Sequence, residues 1–322
     1  MGKVVTIGEP MAMFIAREPG KLKDVKSFDH FIAGAEVNVS VGVARLGHEI
    51  EYVTEMGKDP FAEHIMDFLT KEAIDTNLIR INPAYPTGFQ LKSKDAEHDP
   101  EVVYFRKGSA AYHMQRARAQ EIDFSDVDIL HVTGILMALN DETFALIEAL
   151  IEKAKAQKTL ITFDPNLRPT LWKDQQTMIE RINRVAASAD YVLPGISEGE
   201  ILTGSREPDK IADFYLDLGA RGVIIKSGPN GAIMKYRENG AAKTLTKPGF
   251  KVEKVVDTVG AGDGFAVGVI TSLLEELPPA EMLERANAIG AIQVSHISDN
   301  ENLPTRAELA DFLKSHPNGG NI

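Results

Sequence analysis

The stretch that decides the fold is Asp257-Thr258-Val259-Gly260-Ala261-Gly262-Asp263-Gly264-Phe265. A β-rich run, Val252 to Val256, leads into it, and an apolar, helix-like stretch follows as far as Leu274. Strand, glycine-rich turn and helix start make an anion-binding geometry. Gly260 and Gly262 permit unusual φ values and close backbone approach, and the first N–H groups of a helix have no intrahelical partners, so they are available to phosphate oxygens. Asp263 stands where a carboxylate either caps the helix or takes a proton from an incoming alcohol. A capping Asp is the commoner of the two, but a cap alone does not require bare backbone on both sides, so the flanking glycines shift the balance toward the second role and leave both open. Neither common nucleotide fingerprint is present: GxxxxGK[ST] does not occur, and Phe265 occupies the last glycine position of GxGxxG.

Outward from this turn, short β-rich runs (Val4 to Ile7, Ile129 to Thr133, Leu160 to Phe163, Tyr191 to Leu193, Val223 to Lys226) alternate with amphipathic stretches of helical period. That alternation predicts a largely parallel sheet. The helical stripes are Phe61, Ile65, Phe68 and Leu69; Phe144, Ile147, Ile151 and Ala154; and Ile211, Phe214, Tyr215 and Leu218. Thr305 and Glu308 have capping-box spacing before a final short helix. Two regions break the rhythm, residues 11–32 and 87–106, where patterns such as Phe89-Gln90-Leu91-Lys92 and Val103-Tyr104-Phe105-Arg106 read as strands without helices between them. They predict a small accessory sheet suited to a lid. With no internal repeat, residues 1–322 read as one continuous α/β domain, frayed only over 316–322.

Composition narrows the function classes. In 322 residues, 35 Lys and Arg oppose 47 Asp and Glu, a net charge of −12, which argues against a nonspecific nucleic-acid binder. The absence of cysteine excludes disulfides, thiolate nucleophiles and cysteine-ligated metal centres. The longest uncharged stretches, Ile129 to Asn140 and Gly264 to Leu274, fall short of the roughly 20 residues a membrane helix needs. The first residues lack a secretory hydrophobic segment, and the cytoplasm is the expected location. The eight histidines form no HExxH and no i, i+4 pair, which argues against a zinc site.

The chain resembles the ribokinase-like (PfkB-type) carbohydrate kinases. The resemblance rests on DTVGAGDGF and extends over GEPMAMF (8–14), GAEVNVSVGVARLG (34–47), DPNLRPTLW (164–172) and VIIKSGPNGA (223–232). It implies a three-layer α/β/α fold with a mostly parallel central sheet and a small β lid. It also implies ATP-dependent phosphorylation of a sugar hydroxyl with magnesium, leaving potassium open. By this resemblance Asp263 is the catalytic base and Gly260, Ala261 and Gly262 form the anion hole. Gly34 and Asn38 contact the sugar, Asn166, Lys226, Ser227, Gly228 and Gly231 line the nucleotide side, and Asn287 lies near the adenine. Each residue alone would be an ordinary strand-end or helix position.

Within the family the likeness is greatest to members that phosphorylate 2-keto-3-deoxygluconate, a sugar acid, through GEPMAMF, VYFRKGSA (103–110) and DPNLRPTLW. Many neutral-sugar members carry Asp where Met13 stands, and a carboxylate there would repel an acidic substrate. Arg106 and Arg168 offer planar donor forks, Arg106 for the substrate carboxylate and Arg168 for substrate or ATP phosphate. Tyr104 shares the strand face of Arg106. Asp299 matches a position that contacts sugar hydroxyls. Two positions depart from the pattern: Gln90 replaces a substrate-facing aromatic residue, and the N-x-x-E element reads Gly195-Ile196-Ser197-Glu198, leaving Glu198 to hold metal through water. A fructokinase or other neutral-sugar kinase is the alternative. A serine hydrolase is a remoter one, because Gly195-Ile196-Ser197-Glu198-Gly199 satisfies G-x-S-x-G with Asp263 and His296 downstream, although no HGGG-like segment precedes it. The expected partners are a sugar acid, ATP and further copies of the chain, the last because an exposed accessory sheet leaves an edge to cover.

Overall fold

The computed structural model describes residues 2–94, 101–238, 240–252, 255, 258–295 and 300–316. In chain order the strands are β1 (Lys3–Ile7), β2 (Met11–Pro19), β3 (Phe28–Ala33), β4 (Glu49–Gly57), β5 (Ile79–Asn82), β6 (Phe89–Lys94), β7 (Val102–Phe105), β8 (Ile129–Thr133), β9 (Leu160–Asp164), β10 (Tyr191–Val192), β11 (Gly222–Lys226), β12 (Ala232–Glu238) and β13 (Ala241–Lys247). The helices are α1 (Ala35–Arg45), α2 (Pro60–Lys71), α3 (Asp141–Ala156), α4 (Gln175–Ala186), α5 (Ile196–Thr203), α6 (Pro208–Asp217), α7 (Ala261–Leu274), α8 (Pro279–Gln293) and α9 (Arg306–Ser315).

Nine strands form the main sheet in the order β13-β12-β11-β10-β9-β8-β1-β4-β5. All neighbours from β11 to β5 are parallel, and β12 and β13 close one edge as an antiparallel hairpin. A parallel sheet is covered on both faces, so its strands read as nearly continuous apolar runs, and β8 is buried at all five positions. Period-two alternation sorts the side chains: Val5, Ile7, Leu130 and Val132 join a core with α3 to α6, whereas Val4 and Ile129 join the opposite core with α1, α2, α7 and α8. The result is the expected three-layer α/β/α architecture.

The sheet also fixes where a ligand sits. β1 pairs with β4 on one side and β8 on the other, and the strand order runs away from it in both directions. The carboxyl ends of strands at such a reversal open a crevice. Over it stands a separate four-stranded sheet, β3-β2-β6-β7, in which β2 and β6 pair in parallel and the outer pairs are antiparallel. This is the accessory sheet expected from residues 11–32 and 87–106.

Some local expectations change, and others fall outside the described residues. Ile211 and Tyr215 of the α6 stripe are buried, but Phe214 and Leu218 are 36% and 41% exposed, because Ala212 and Leu216 complete the buried face instead. The β-rich run before the glycine turn is only partly described, and Val252 and Val255 belong to no strand. The frayed segment lies outside the described residues from position 317 onward. Thr305 and Glu308 do form the capping box of α9.

Candidate active site

The glycine turn becomes the N-terminus of α7. Gly260 is its N-cap with φ +80°, a left-handed conformation that glycine adopts without a Cβ penalty, and no side chain caps the helix. Asp263, the third helical residue, is turned away from its own helix end. Its Oδ2 accepts from Asn38 Nδ2 at 2.7 Å and its Oδ1 from Asn166 Nδ2 at 3.3 Å. The capping role is therefore not the one Asp263 plays.

Asp263 is 8% exposed. Burial pushes its carboxyl up to about 7; the Asn38 hydrogen bond and the Arg168 charge pull against that shift, while Asp164 and Glu36 add to it. A carboxyl balanced near neutrality at a cleft wall is chemically suited to accept a proton from a bound hydroxyl.

Asp263 lines a cleft of about 430 Å³ at the carboxyl ends of β1, β8, β9 and β11. Asn166, just past β9, has φ +38°, a left-handed conformation that Asn tolerates better than most residues. Lys226, the last residue of β11, donates to both oxygens of Asp164 at 2.8 and 2.7 Å. Burial opposes the Lys226 charge, but Asp164, Glu198 and Asp263 outweigh it and raise its pKa. Glu198, the third residue of α5, reaches back over the helix start, its carboxylate accepting from Leu167 N at 2.8 Å and Gly195 N at 2.7 Å.

At the other end of the cleft, Gly34 has φ +141°, and a Cβ there would lie 2.9 Å from the Glu9 carbonyl oxygen, so both conformation and space require glycine. Gln90 and Tyr104 face each other across β6 and β7 and both line the cleft, as does Lys92. Arg106, just after β7, is buried against Glu9: Nε donates to Glu9 Oε2 at 2.7 Å. Glu36 is buried, accepts from Thr133 Oγ1 at 2.5 Å, and has its carboxyl pushed up by burial.

A second cavity of about 770 Å³ adjoins the first, sharing Lys226, Thr258 and Gly262 with it. Its walls include Phe250, Val252, Phe265, Ala291 and Val294, an apolar slot of the kind that takes a planar ring. A Cβ on Gly262 would stand 3.6 Å from Lys226 Nζ, so the junction between the cavities is backbone on one side and a cation on the other.

Of the residues singled out from sequence, Gly34, Asn38, Gln90, Tyr104, Arg106, Asn166, Arg168, Glu198, Lys226, Gly260, Gly262 and Asp263 line the first cleft. Gly228, Gly231, Ala261 and Asn287 line the second, again with Lys226 and Gly262. Asn166 and Arg168 thus stand in the first cleft and not in the second. Ser227 lines neither cavity, its N–H donating to Gly231 O at 2.9 Å. The Asn287 amide donates to the Lys247 and Pro248 carbonyls, holding that loop as a wall. Asp299 and His296 lie outside the described residues, and Ser197 is exposed and lines neither cavity. Sequence reasoning missed Glu9, Glu36, Lys92 and Asp164. Glu9, Glu36 and Asp164 sit inside quoted motifs, Glu9 just past β1, Asp164 at the end of β9 and Glu36 in the first turn of α1.

A doubly wound sheet with an overlying β sheet and a bare helix N-terminus facing a near-neutral carboxylate defines the ribokinase-like class. The chain belongs to the pfkB family of carbohydrate kinases, whose profile matches residues 1–306. It is 46% identical over 312 residues to a 2-dehydro-3-deoxygluconokinase of Bacillus subtilis, covering 97% of this chain and 95% of that protein. It is 29% identical to a protein of the same name from Thermoproteus tenax, covering 98% and 95%. Among solved structures, the PfkB protein of Polaromonas sp. JS666 superposes with a TM-score of 0.86 at 38% identity, covering 96% of this chain and 99% of that one. An uncharacterized sugar kinase of Pyrococcus horikoshii in complex with ATP superposes with a TM-score of 0.79 at 26% identity, covering 96% and 97%. No helix among the described residues is long and apolar enough to cross a membrane.

Proposed function

We propose that this kinase transfers the γ-phosphoryl group of ATP to the terminal hydroxyl of 2-keto-3-deoxygluconate, also called 2-dehydro-3-deoxygluconate. The observation that carries the reading is Asp263, held near neutral pKa at the wall where the first cleft opens toward the second. The sugar acid occupies the cleft under the accessory sheet, and the nucleotide lies in the apolar slot with its phosphates directed at the Lys226–Gly262 junction. The relatives named for this activity support the same substrate.

Phosphoryl transfer proceeds through a loose transition state, so catalysis is mostly positioning and charge stabilisation. The substrate oxygen bonds to the γ-phosphorus as the bond to the β-phosphate oxygen breaks, and the hydroxyl proton passes to Asp263. Asn38 and Asn166 hold that carboxylate by both oxygens. The Gly260, Ala261 and Gly262 amides at the uncapped helix start, with Lys226 beside them, receive the charge of the group in transit. Among the described residues no three acidic or histidine side chains gather closely enough to hold a metal ion. Magnesium would be carried by phosphate oxygens and water, with Glu198 the side chain available to hold that water, and would neutralise charge on the phosphates.

A turnover panel of 2-keto-3-deoxygluconate, fructose and ribose tests the reading. The sugar acid should be turned over with the highest kcat/KM, and Arg106→Ala should raise its KM about 30-fold or more while sparing any neutral sugar. Highest kcat/KM with fructose would instead establish the neutral-sugar alternative.

A further inference from the structure

Arg106 does not enter the cleft as an unencumbered cation. Its Nε donates to Glu9 Oε2 at 2.7 Å, and Nη2 lies 2.6 Å from the same oxygen, with the two side chains 7% and 1% exposed. Nη2 is nonetheless misaligned: it is buried and has no hydrogen-bond partner among the described residues. The other oxygen of Glu9, Oε1, is taken by Ser109 Oγ at 2.5 Å. One carboxylate at the end of β1 therefore fastens two residues of the turn that leaves β7. It occupies the Nε edge of the guanidinium and leaves the Nη1–Nη2 end with donor capacity unspent.

Two donors side by side on a planar fork match the two oxygens of a carboxylate. We infer that Glu9 is a positioning residue for acid recognition, gripping Arg106 by its Nε edge so that the Nη1–Nη2 end is presented to the carboxylate of the substrate. This rests on the sugar-acid reading above. Glu9 also accounts for how a guanidinium stays buried in the empty site: the pair is neutral overall, whereas a lone buried cation would swing out to water. Arg106 then stands between two carboxylates, one from the protein on its side edge and one from the ligand on its end. That arrangement avoids the direct repulsion a bare acid in the cleft would create.

Glu9→Gln keeps the size of the side chain and can still donate its amide to Ser109 Oγ, but its oxygen offers Arg106 only a neutral acceptor, so the charged grip on the guanidinium is lost. The test is steady-state kinetics of this variant with 2-keto-3-deoxygluconate, with its neutral counterpart 3-deoxyfructose, and with ATP. KM for the acid should rise about tenfold or more, while kcat and the KM values for the neutral sugar and ATP move less than about threefold. A rise shared equally by both sugars, or no rise, overturns the proposal, since a merely structural Glu9 would not discriminate between them. Should Glu9→Gln not fold, Ser109→Ala carries the same test. It releases Oε1 without removing a charge and should raise KM for the acid alone by about two- to fivefold; an equal or absent effect again overturns the role. Wild-type enzyme that shows no preference for the acid refutes the sugar-acid reading itself. A preference kept in the variant refutes only the part given to Glu9.

Discussion

Asp263→Asn is expected to lower kcat by about 100- to 10,000-fold while leaving the ATP dissociation constant nearly unchanged. The amide keeps the shape of the side chain but cannot take the hydroxyl proton, and Asp263 does not line the second cavity, the one proposed above for ATP. A variant turning over at the wild-type rate would remove Asp263 from the chemistry. The wild-type kcat/KM should rise with pH through about 7, the value to which burial pushes the carboxyl, because only the ionised form is a base.

The same shift has a consequence for stability whose sign can be worked out. The folded-state value, about 7, lies above the ordinary 3.8, so the protonated form is favoured by folding. The stability Asp263 permits is fully present below 3.8 and is lost as pH rises through about 7. Asparagine mimics the protonated acid. Asp263→Asn should therefore stabilise the ligand-free protein at about pH 8 by on the order of a few kcal/mol, read as a higher melting temperature, and by much less at about pH 5. Equal melting shifts at both pH values would show that the carboxyl is not buried at a cost.

Lys226→Met should act on stability in the opposite direction. Asp164, 1% exposed, receives both of its close ammonium contacts from Lys226, and removing the cation strands a buried carboxylate, at a cost of about 3–5 kcal/mol. Adding Asp164→Asn should recover much of that loss, a coupling measurable by a double-mutant cycle in urea. Activity should not return with stability. Lys226 is also the cation at the junction of the two cavities, and kcat should remain down about 100-fold in the double variant. Independent, additive stability losses would disprove the pairing.

Asp263 is legible from the chain because its evidence is local: the glycines, the helix start and the carboxylate lie within nine consecutive residues. Its partners are another matter. Asn38 is 225 positions away and Asn166 is 97 away, and no pattern within a window announces that both amides converge on one carboxyl. The resemblance brings Asn38 and Asn166 to the site, yet it does not announce the left-handed backbone at Asn166 from which its amide reaches Asp263. Glu9 and Arg106, 97 positions apart, show the same limit. A fork suited to a carboxylate is visible in the sequence, but that a protein carboxylate already holds one edge of it is not. The alternating β and α runs, by contrast, carry the sheet well, since burial on both faces writes itself into composition. The α6 stripe misleads because Ile211 and Tyr215 share a face with Phe214 and Leu218 on one side and with Ala212 and Leu216 on the other, and the second face is the buried one.

Every residue lining the slot assigned to the nucleotide falls between Lys226 and Val294, whereas the neighbouring cleft draws on positions from Glu9 to Asp263. The overlying sheet is held together by pairings such as Ala12 with Phe89, which close long loops before they gain anything. Refolding should therefore build the two halves of the active site at different times, the donor half first and the acceptor half later. Pulsed hydrogen exchange during refolding should find the amides of α7 and α8 protected before those of β2 and β6, and the reverse order would contradict it. A chain caught between those stages would grip its phosphoryl donor with nowhere yet to deliver the cargo.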